Sequence, residues 1–392
     1  MRDFTFYAPT RVVFGENAEL QAGRLIRDLG ARRVLLVYGG GSAVRSGLLD
    51  RLQACLLEAG LPVIPFGGAQ PNPTLAHAEA GAALAREAEA DFVLAVGGGS
   101  AIDTGKAIAH GAKQPDVALW KLWSGAAPVK EALPVGAVLT IPAAGSETSD
   151  SAVLTNETVG QKRGLSSERN RPVFALMNPR LALTLPPYQM ACGVTDILMH
   201  TLDRYFNPVT DNLLTDAIAE SLLRVVLQAG RKLLQAPDYH AMSELMWCGS
   251  LSHNGLTGLG GEKDFAPHQL GHPLSARFGA AHGASLAAVW PSWARFVWRR
   301  NPARFAQYAR RVWDINTDDD EAAAQEGIDA TERYFRSLGM PVRLDQLGIP
   351  AQEPAVLADL ADLCSYGKSR TIGSFQVLTY ADVLAIYQLA SH

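Results

Sequence analysis

Asp91-Phe92-Val93-Leu94-Ala95-Val96-Gly97-Gly98-Gly99-Ser100-Ala101-Ile102-Asp103-Thr104-Gly105-Lys106 decides the fold. An apolar run of strand length ends in three glycines and a serine, and a helical pattern follows without a spacer. A strand with so little alternation is buried on both faces, as in parallel sheets covered by helices. The glycines let backbone N–H groups approach an anion, and the next helix offers it a positive end. The segment therefore predicts an α/β sheet with an anion-binding turn at a strand's carboxyl end. It matches neither Gly-x-Gly-x-x-Gly nor the Walker A pattern. Read alone, such a loop is equally well a tight turn that binds nothing.

Upstream the same grammar recurs. An apolar strand over residues 33–38 runs into Gly39-Gly40-Gly41-Ser42 and then a helical pattern over 44–59. Further strands are expected over 61–66 and 135–141, with helices over 74–89 and 101–112, which is βαβ logic. Two glycine loops in one sheet favour a phosphate-bearing ligand, which in such sheets lies outside the carboxyl ends of the strands. A third loop, Thr140-Ile141-Pro142-Ala143-Ala144-Gly145-Ser146-Glu147-Thr148, is dense in hydroxyls that could hold an amide or a ribose, or could simply form a turn. From residue 185 the texture changes to long helical patterns, as over 212–235 and 303–312, and Asn178-Pro179 and Pro186-Pro187 bracket the change. Two domains are expected, a parallel, Rossmann-like α/β domain over 1–184 and an all-α domain over 185–392.

Composition narrows the function. The chain has 392 residues, 48% hydrophobic and 19% charged, enough for two proper cores. A net charge of −4 disfavours a nucleic-acid partner, and no apolar stretch reaches membrane-spanning length. The start carries no secretory or lipidation pattern, so a cytoplasmic location is expected. Cys55, Cys192, Cys248 and Cys364 form no Cys-x-x-Cys pair and read as buried thiols. The run Asp318-Asp319-Asp320-Glu321 suits a helix start. The 290–311 segment, with Trp293, Phe296 and Trp298 among Arg295, Arg299, Arg300 and Arg304, reads as an amphipathic stretch with solvated arginines.

The helical half carries the metal chemistry. Asp196 and His200 are spaced i, i+4, which puts them on one helix face, and His268 and His272 repeat the spacing, with His282 following. Five potential ligands on three segments outline a metal site of the bundle type. Gln269 stands where a zinc peptidase's His-Glu-x-x-His would have its general base. His77, His110, His240 and His253 fall in no motif.

In this order and spacing, the Gly97 to Lys106 segment, Ala144-Gly145-Ser146-Glu147, Asp196 to His200 and His268 to His282 resemble the iron-containing (group III) alcohol dehydrogenase family, from Phe14-Gly15 to about Tyr387. Val37-Tyr38-Gly39-Gly40-Gly41-Ser42 and His200-Thr201-Leu202-Asp203-Arg204-Tyr205 resemble its NADPH-dependent aldehyde reductase and butanol dehydrogenase subgroup. The resemblance implies a dehydroquinate-synthase-like architecture, with a dinucleotide-binding domain followed by a metal-binding and substrate domain. It implies Asp196, His200, His268 and His282 as metal ligands and His272 as the histidine near the substrate, where it is placed to act as the catalytic proton carrier. A nitrogen-rich set with one carboxylate and no thiolate suits Fe(II), Zn(II), Co(II) or Ni(II), and of these Zn or Fe is expected. Gly98, Gly99, Ser100 and Asp103 fall on the pyrophosphate loop and its helix, and Thr140, Ser146 and Lys162 on the nicotinamide side. Gly40, Gly41 and Ser42 lie by the adenosine ribose, and Gly40 replaces the acidic residue of NAD-preferring relatives. Arg45 is the one cation where the subgroup often has two lysines.

The expected activity is hydride transfer between NADP(H) and an aldehyde or primary alcohol, in a homodimer. Two other readings fit the same residues. One is a dehydroquinate-synthase-like lyase using NAD transiently, and the other is a regulator that binds metal and dinucleotide without catalysis.

Overall fold

The computed structural model describes residues 1–209, 211–350 and 353–392. The chain forms two compact units, Tyr7–Thr184 and Leu185–His392, the latter joined by Met1–Phe6. The sequence expectation had placed the first six residues with the sheet. Arg2 instead bonds to the Gly260 carbonyl through its backbone N–H, at 3.0 Å, and its side chain pairs with Glu262.

The first unit is built on strands β1 (Arg11–Phe14), β2 (Val34–Tyr38), β3 (Val63–Phe66), β4 (Phe92–Gly97), β5 (Val135–Leu139) and β8 (Phe174–Met177), with a separate antiparallel hairpin of β6 (Ser151–Asn156) and β7 (Gln161–Ser166). The six-stranded sheet is parallel throughout, in the order β1-β8-β5-β4-β2-β3. Its helices are α1 (Ala22–Asp28), α2 (Gly41–Arg45), α3 (Leu48–Glu58), α4 (Leu75–Glu87), α5 (Gly99–Lys113) and α6 (Leu119–Trp123). Alternate strand residues face opposite layers: Val34 and Leu36 pack with α1 and α3, Leu35 and Val37 with α4 and α5. Both faces are therefore covered, which is why these strands read as unbroken apolar runs.

Further sequence expectations change. The helix expected over 44–59 is two helices, because Gly47 takes a left-handed conformation (φ 68°) between α2 and α3. Strands β1 and β8 and the β6–β7 hairpin were not expected, the first two being only four residues long. Cys55 and Cys192 are half-buried, whereas Cys248 and Cys364 are buried as read.

From β2 the chain runs to β3 on one side, and from β4 to β5 on the other, so neighbouring β2 and β4 flank the sheet's switch point. Crevices at such points receive ligands in open α/β sheets. The loops leaving these two strands are the two glycine loops.

The second unit is helical among its described residues, apart from an isolated bridge between Ile372 and Leu378. It contains α7 (Pro187–Tyr205), α8 (Leu213–Gln235), α9 (Tyr239–His253), α10 (Ala266–Phe278), α11 (His282–Val297), α12 (Pro302–Trp313), α13 (Asp320–Ser337), α14 (Pro354–Cys364) and α15 (Tyr380–Leu389). The acidic run opens α13, where Asp319 accepts from the N–H groups of Glu321 and Ala322. Arg304 is not solvated, as the sequence had suggested, but buried. It pairs with Asp216 and donates to the Tyr205 carbonyl at 3.0 and 2.6 Å, closing the end of α7. Among the described residues, no helix is long and apolar enough to cross a membrane.

Candidate metal centre and cofactor loops

Helix α7 carries Asp196 and His200 one turn apart, α10 carries His268 and His272, and His282 is the first residue of α11. Close helix approach brings them together. Gly283 has no side chain, and a Cβ there would collide with the Cys192 carbonyl oxygen and come within 2.7 Å of its carbon, so α11 meets α7 only as glycine. The second turn of α10 holds Pro273, whose missing N–H deprives the Gln269 carbonyl of its helical partner. The Cys364 thiol lies 3.4 Å from that carbonyl oxygen, and the Tyr387 hydroxyl donates to Leu270 O at 2.7 Å, so α14 and α15 secure the interrupted helix.

The donor atoms converge on one carboxylate oxygen. Nε2 of His200, His268 and His282 lie 3.5, 3.7 and 3.6 Å from Asp196 Oδ1. Ligand atoms of Asp196, His268 and His282 are all within 4.8 Å of one another, and His200 joins the group through the carboxylate. Asp196 Oδ1 and His268 Nε2 are buried and have no hydrogen-bond partner. Such groups are rare in native proteins because they forfeit solvation. One carboxylate and three imidazoles aimed at a common point suit a divalent transition metal, and the cluster fits one.

Electrostatics treat the two buried histidines differently. Burial, with neighbouring His253 and His268, pushes His200 well below the ordinary histidine range and keeps it neutral. Burial also pulls on His268, but Asp203 and Asp196 outweigh it and raise its pKa. His268 Nδ1 lies 2.6 Å from Asp203 Oδ2. His272 is half-buried, and its ring centre is 6.0 Å from that of His282.

Two neighbours of the centre escaped the sequence reading. His253, at the end of α9, packs against His200 with ring centres 3.9 Å apart and the rings tilted by 33°. Asp203 sits seven residues after Asp196, so an i, i+4, i+7 pattern on α7 was the signal that could have found it. No sequence spacing pointed to His253. Phe265, left-handed at φ 54°, places its ring 5.2 Å from His268 and under the Arg204 guanidinium.

In the first unit, the second glycine loop and the hydroxyl loop meet. Gly97 takes φ 152°, a Cβ on Gly98 would come within 2.8 Å of Ile141 Cβ, and one on Gly99 within 3.0 Å of Ala144 Cβ. Thr140 N donates to Gly97 O at 3.0 Å. Helix α5 is buried along Ala101–Gly111, so its polar residues need internal partners. Asp103 was expected among the cofactor contacts. Here its oxygens accept from the Ser146 hydroxyl and, at 2.8 Å, from Val153 N. Lys106 Nζ donates to Ser146 Oγ at 2.8 Å and Ser151 O at 2.7 Å, and burial pushes its pKa down to about 8. Asp103 and Ser146 are thus tied into the loop framework, because a buried carboxylate and ammonium must satisfy each other's surroundings. Lys162 on β7 donates to Asn72 Oδ1 at 2.8 Å.

The first glycine loop differs. Gly40, Gly41 and Ser42 are exposed, a Cβ on Gly40 would meet nothing within 4 Å, and the Arg45 guanidinium folds against Gly41.

Comparison with known proteins agrees with this anatomy. Residues 9–179 match the family described as iron-containing alcohol dehydrogenase, and residues 190–391 match the Fe-containing alcohol dehydrogenase family, C-terminal. The chain is 38% identical over 370 residues to the NADPH-dependent aldehyde reductase YqhD of Escherichia coli, covering 92% of this chain and 94% of that protein. It is 36% identical over 391 residues to NADH-dependent butanol dehydrogenase A of Clostridium acetobutylicum, 99% of each chain. The crystal structure of NADH-dependent butanol dehydrogenase A from Thermotoga maritima superposes with a TM-score of 0.96 at 33% identity, over 100% of this chain and 99% of that one. The chain belongs to the iron-containing alcohol dehydrogenase family.

Proposed function

We propose that this protein is a metal-dependent aldehyde reductase and primary-alcohol dehydrogenase that prefers NADP(H). Oxidoreduction of alcohols and aldehydes with a nicotinamide cofactor and a divalent metal is the chemistry of its family. What carries the reading to these residues is the convergence of three imidazole Nε2 atoms on the buried, unpartnered Oδ1 of Asp196. Asp196, His200, His268 and His282 are the ligands in this proposal, with Zn or Fe as the metal. When bound, the cation supplies a Lewis acid for the substrate oxygen, and the nicotinamide supplies or accepts the hydride. His272, half-buried one helical turn from His268, passes the proton between the substrate oxygen and solvent.

The cofactor preference rests on the first glycine loop. Residues 39–42 contain no carboxylate to repel a 2′-phosphate, whereas Ser42 and Arg45 offer a hydroxyl and a guanidinium. Relatives point both ways, since YqhD is named for NADPH and the butanol dehydrogenases for NADH. Gly98, Gly99, Ser100, Asp103, Thr140, Ser146 and Lys162 complete the proposed cofactor contacts, with Asp103 and Ser146 also bonded to each other within the loop framework. A homodimer in the cytoplasm belongs to the same proposal, and light scattering on the purified protein tests its oligomeric part.

The decisive experiment follows absorbance at 340 nm with a panel of aldehydes and each reduced cofactor, before and after chelation and reconstitution with Zn(II) or Fe(II). Steady NADPH oxidation that chelator abolishes and metal restores is expected. Turnover at constant absorbance would transfer the chain to lyase chemistry, and a loaded protein inert towards every aldehyde would leave the non-catalytic reading.

A further inference from the structure

We propose that Asp203 is a positioning residue that fixes His268 in the tautomer presenting Nε2 to the metal. The inference rests on the ligand set proposed above. A neutral imidazole carries one proton, and whichever nitrogen holds it cannot bind a cation. An ionised carboxylate only accepts hydrogen bonds. Asp203 Oδ2, 2.6 Å from His268 Nδ1, therefore draws the proton to Nδ1 and leaves Nε2 with its lone pair. That Nε2 is the buried atom without a hydrogen-bond partner, 3.7 Å from Asp196 Oδ1.

Burial makes the choice strict. Asp203 is 0% exposed and His268 4%, so no bulk water competes for either ring nitrogen. Asp203 is also held in place: its carbonyl accepts from Asp264 N at 2.9 Å, which ties α7 to the turn leading into α10. Helix α7 thus supplies the centre twice, directly through Asp196 and His200 and indirectly through Asp203. Carboxylates behind ligating histidines elsewhere raise metal affinity about 10–100-fold.

The test compares wild type with Asp203→Asn. The amide can turn its NH₂ towards Nδ1 and so stabilise the tautomer that cannot bind. Zn(II) affinity is measured by competition with a chromophoric chelator, and metal-free thermal melts check the fold. Affinity about 10–100-fold weaker, with an unchanged metal-free melt, is expected. Equal affinity in the two proteins overturns the proposal, while a wild type that binds no Zn(II) overturns the ligand set beneath it. Should the variant misfold, the wild type still decides. Long-range ¹⁵N–¹H spectra of the metal-free protein, taken at a pH where His268 is neutral and assigned through the signal lost in His268→Gln, should show the proton on Nδ1, and a neutral ring carrying its proton on Nε2 would refute the assignment.

Discussion

His272 and His282 are both imidazoles beside the proposed centre, and the proposal gives them different work. His282 Nε2 lies 3.6 Å from Asp196 Oδ1, whereas His272 falls outside the cluster of converging ligand atoms. His282→Ala should therefore lose most bound metal, because each direct ligand contributes substantially to affinity. His272→Ala should keep its metal and lose about 100-fold or more in turnover, in the range of general acid–base effects. Metal content by elemental analysis beside kcat checks both, and equal metal loss would move His272 into the coordination sphere. Gly40 offers a cleaner charge test, since the space above it is open and Gly40→Asp introduces no clash. Unit charges about 6 Å apart repel by about 3 kcal/mol at an effective dielectric of 20, but by roughly 0.7 kcal/mol at that of water. The loop is exposed, so the NADPH to NADH ratio of kcat/KM should fall by about tenfold, between those limits of ~3-fold and ~100-fold. An unchanged ratio would mean that the 2′-phosphate is read elsewhere.

Helices place these groups, and the contact between α7 and α11 is the most exacting. A methyl on Gly283 has no room against the Cys192 backbone, which cannot rotate away as a side chain could. Gly283→Ala should push His282 from Asp196, destabilise the protein by about 1–3 kcal/mol, and weaken metal binding although no ligand is changed. Urea denaturation and chelator competition together check this, and unaltered metal affinity would show that α11 can shift without moving its first residue. Such packing explains where the sequence was silent. The strands β2, β4 and β5, buried on both faces, announced themselves as apolar runs, and the candidate side-chain pairs on α7 and α10 followed from helical spacing. Strands β1 and β8 are four residues long, too short for a pattern to develop, and β1 is an edge strand with mixed exposure. His253 reaches His200 only through the packing of α9 on α7, and no spacing along the chain encodes that approach. Asp103 and Ser146 were found by motif, but their commitment to Lys106 and Val153 is a consequence of burial that the motif does not carry.

At the scale of the whole chain, the two kinds of chemistry are divided between two compact units. The proposed metal ligands all lie in Leu185–His392, on α7, α10 and α11, while the glycine and hydroxyl loops all lie in Tyr7–Thr184. A ligand stabilises only those states in which its site is formed, so each should protect its own unit first. Free metal at a hundred times its dissociation constant stabilises the bound state by about 2.7 kcal/mol, which slows exchange about 100-fold for amides exposed only when the site opens. Hydrogen exchange read by mass spectrometry should therefore show chelation releasing peptides of α7, α10 and α11, with β2, β4 and β5 little changed. NADPH added to the metal-free protein should instead protect residues 39–42, 97–100 and 140–146. Metal that protected the glycine loops before the three helices would place its ligands in the sheet unit and refute the centre built on Asp196. NADPH that protected α10 but left all three loops unchanged would refute the dinucleotide role of the switch-point crevice, and with it the reason that two glycine loops follow adjacent strands.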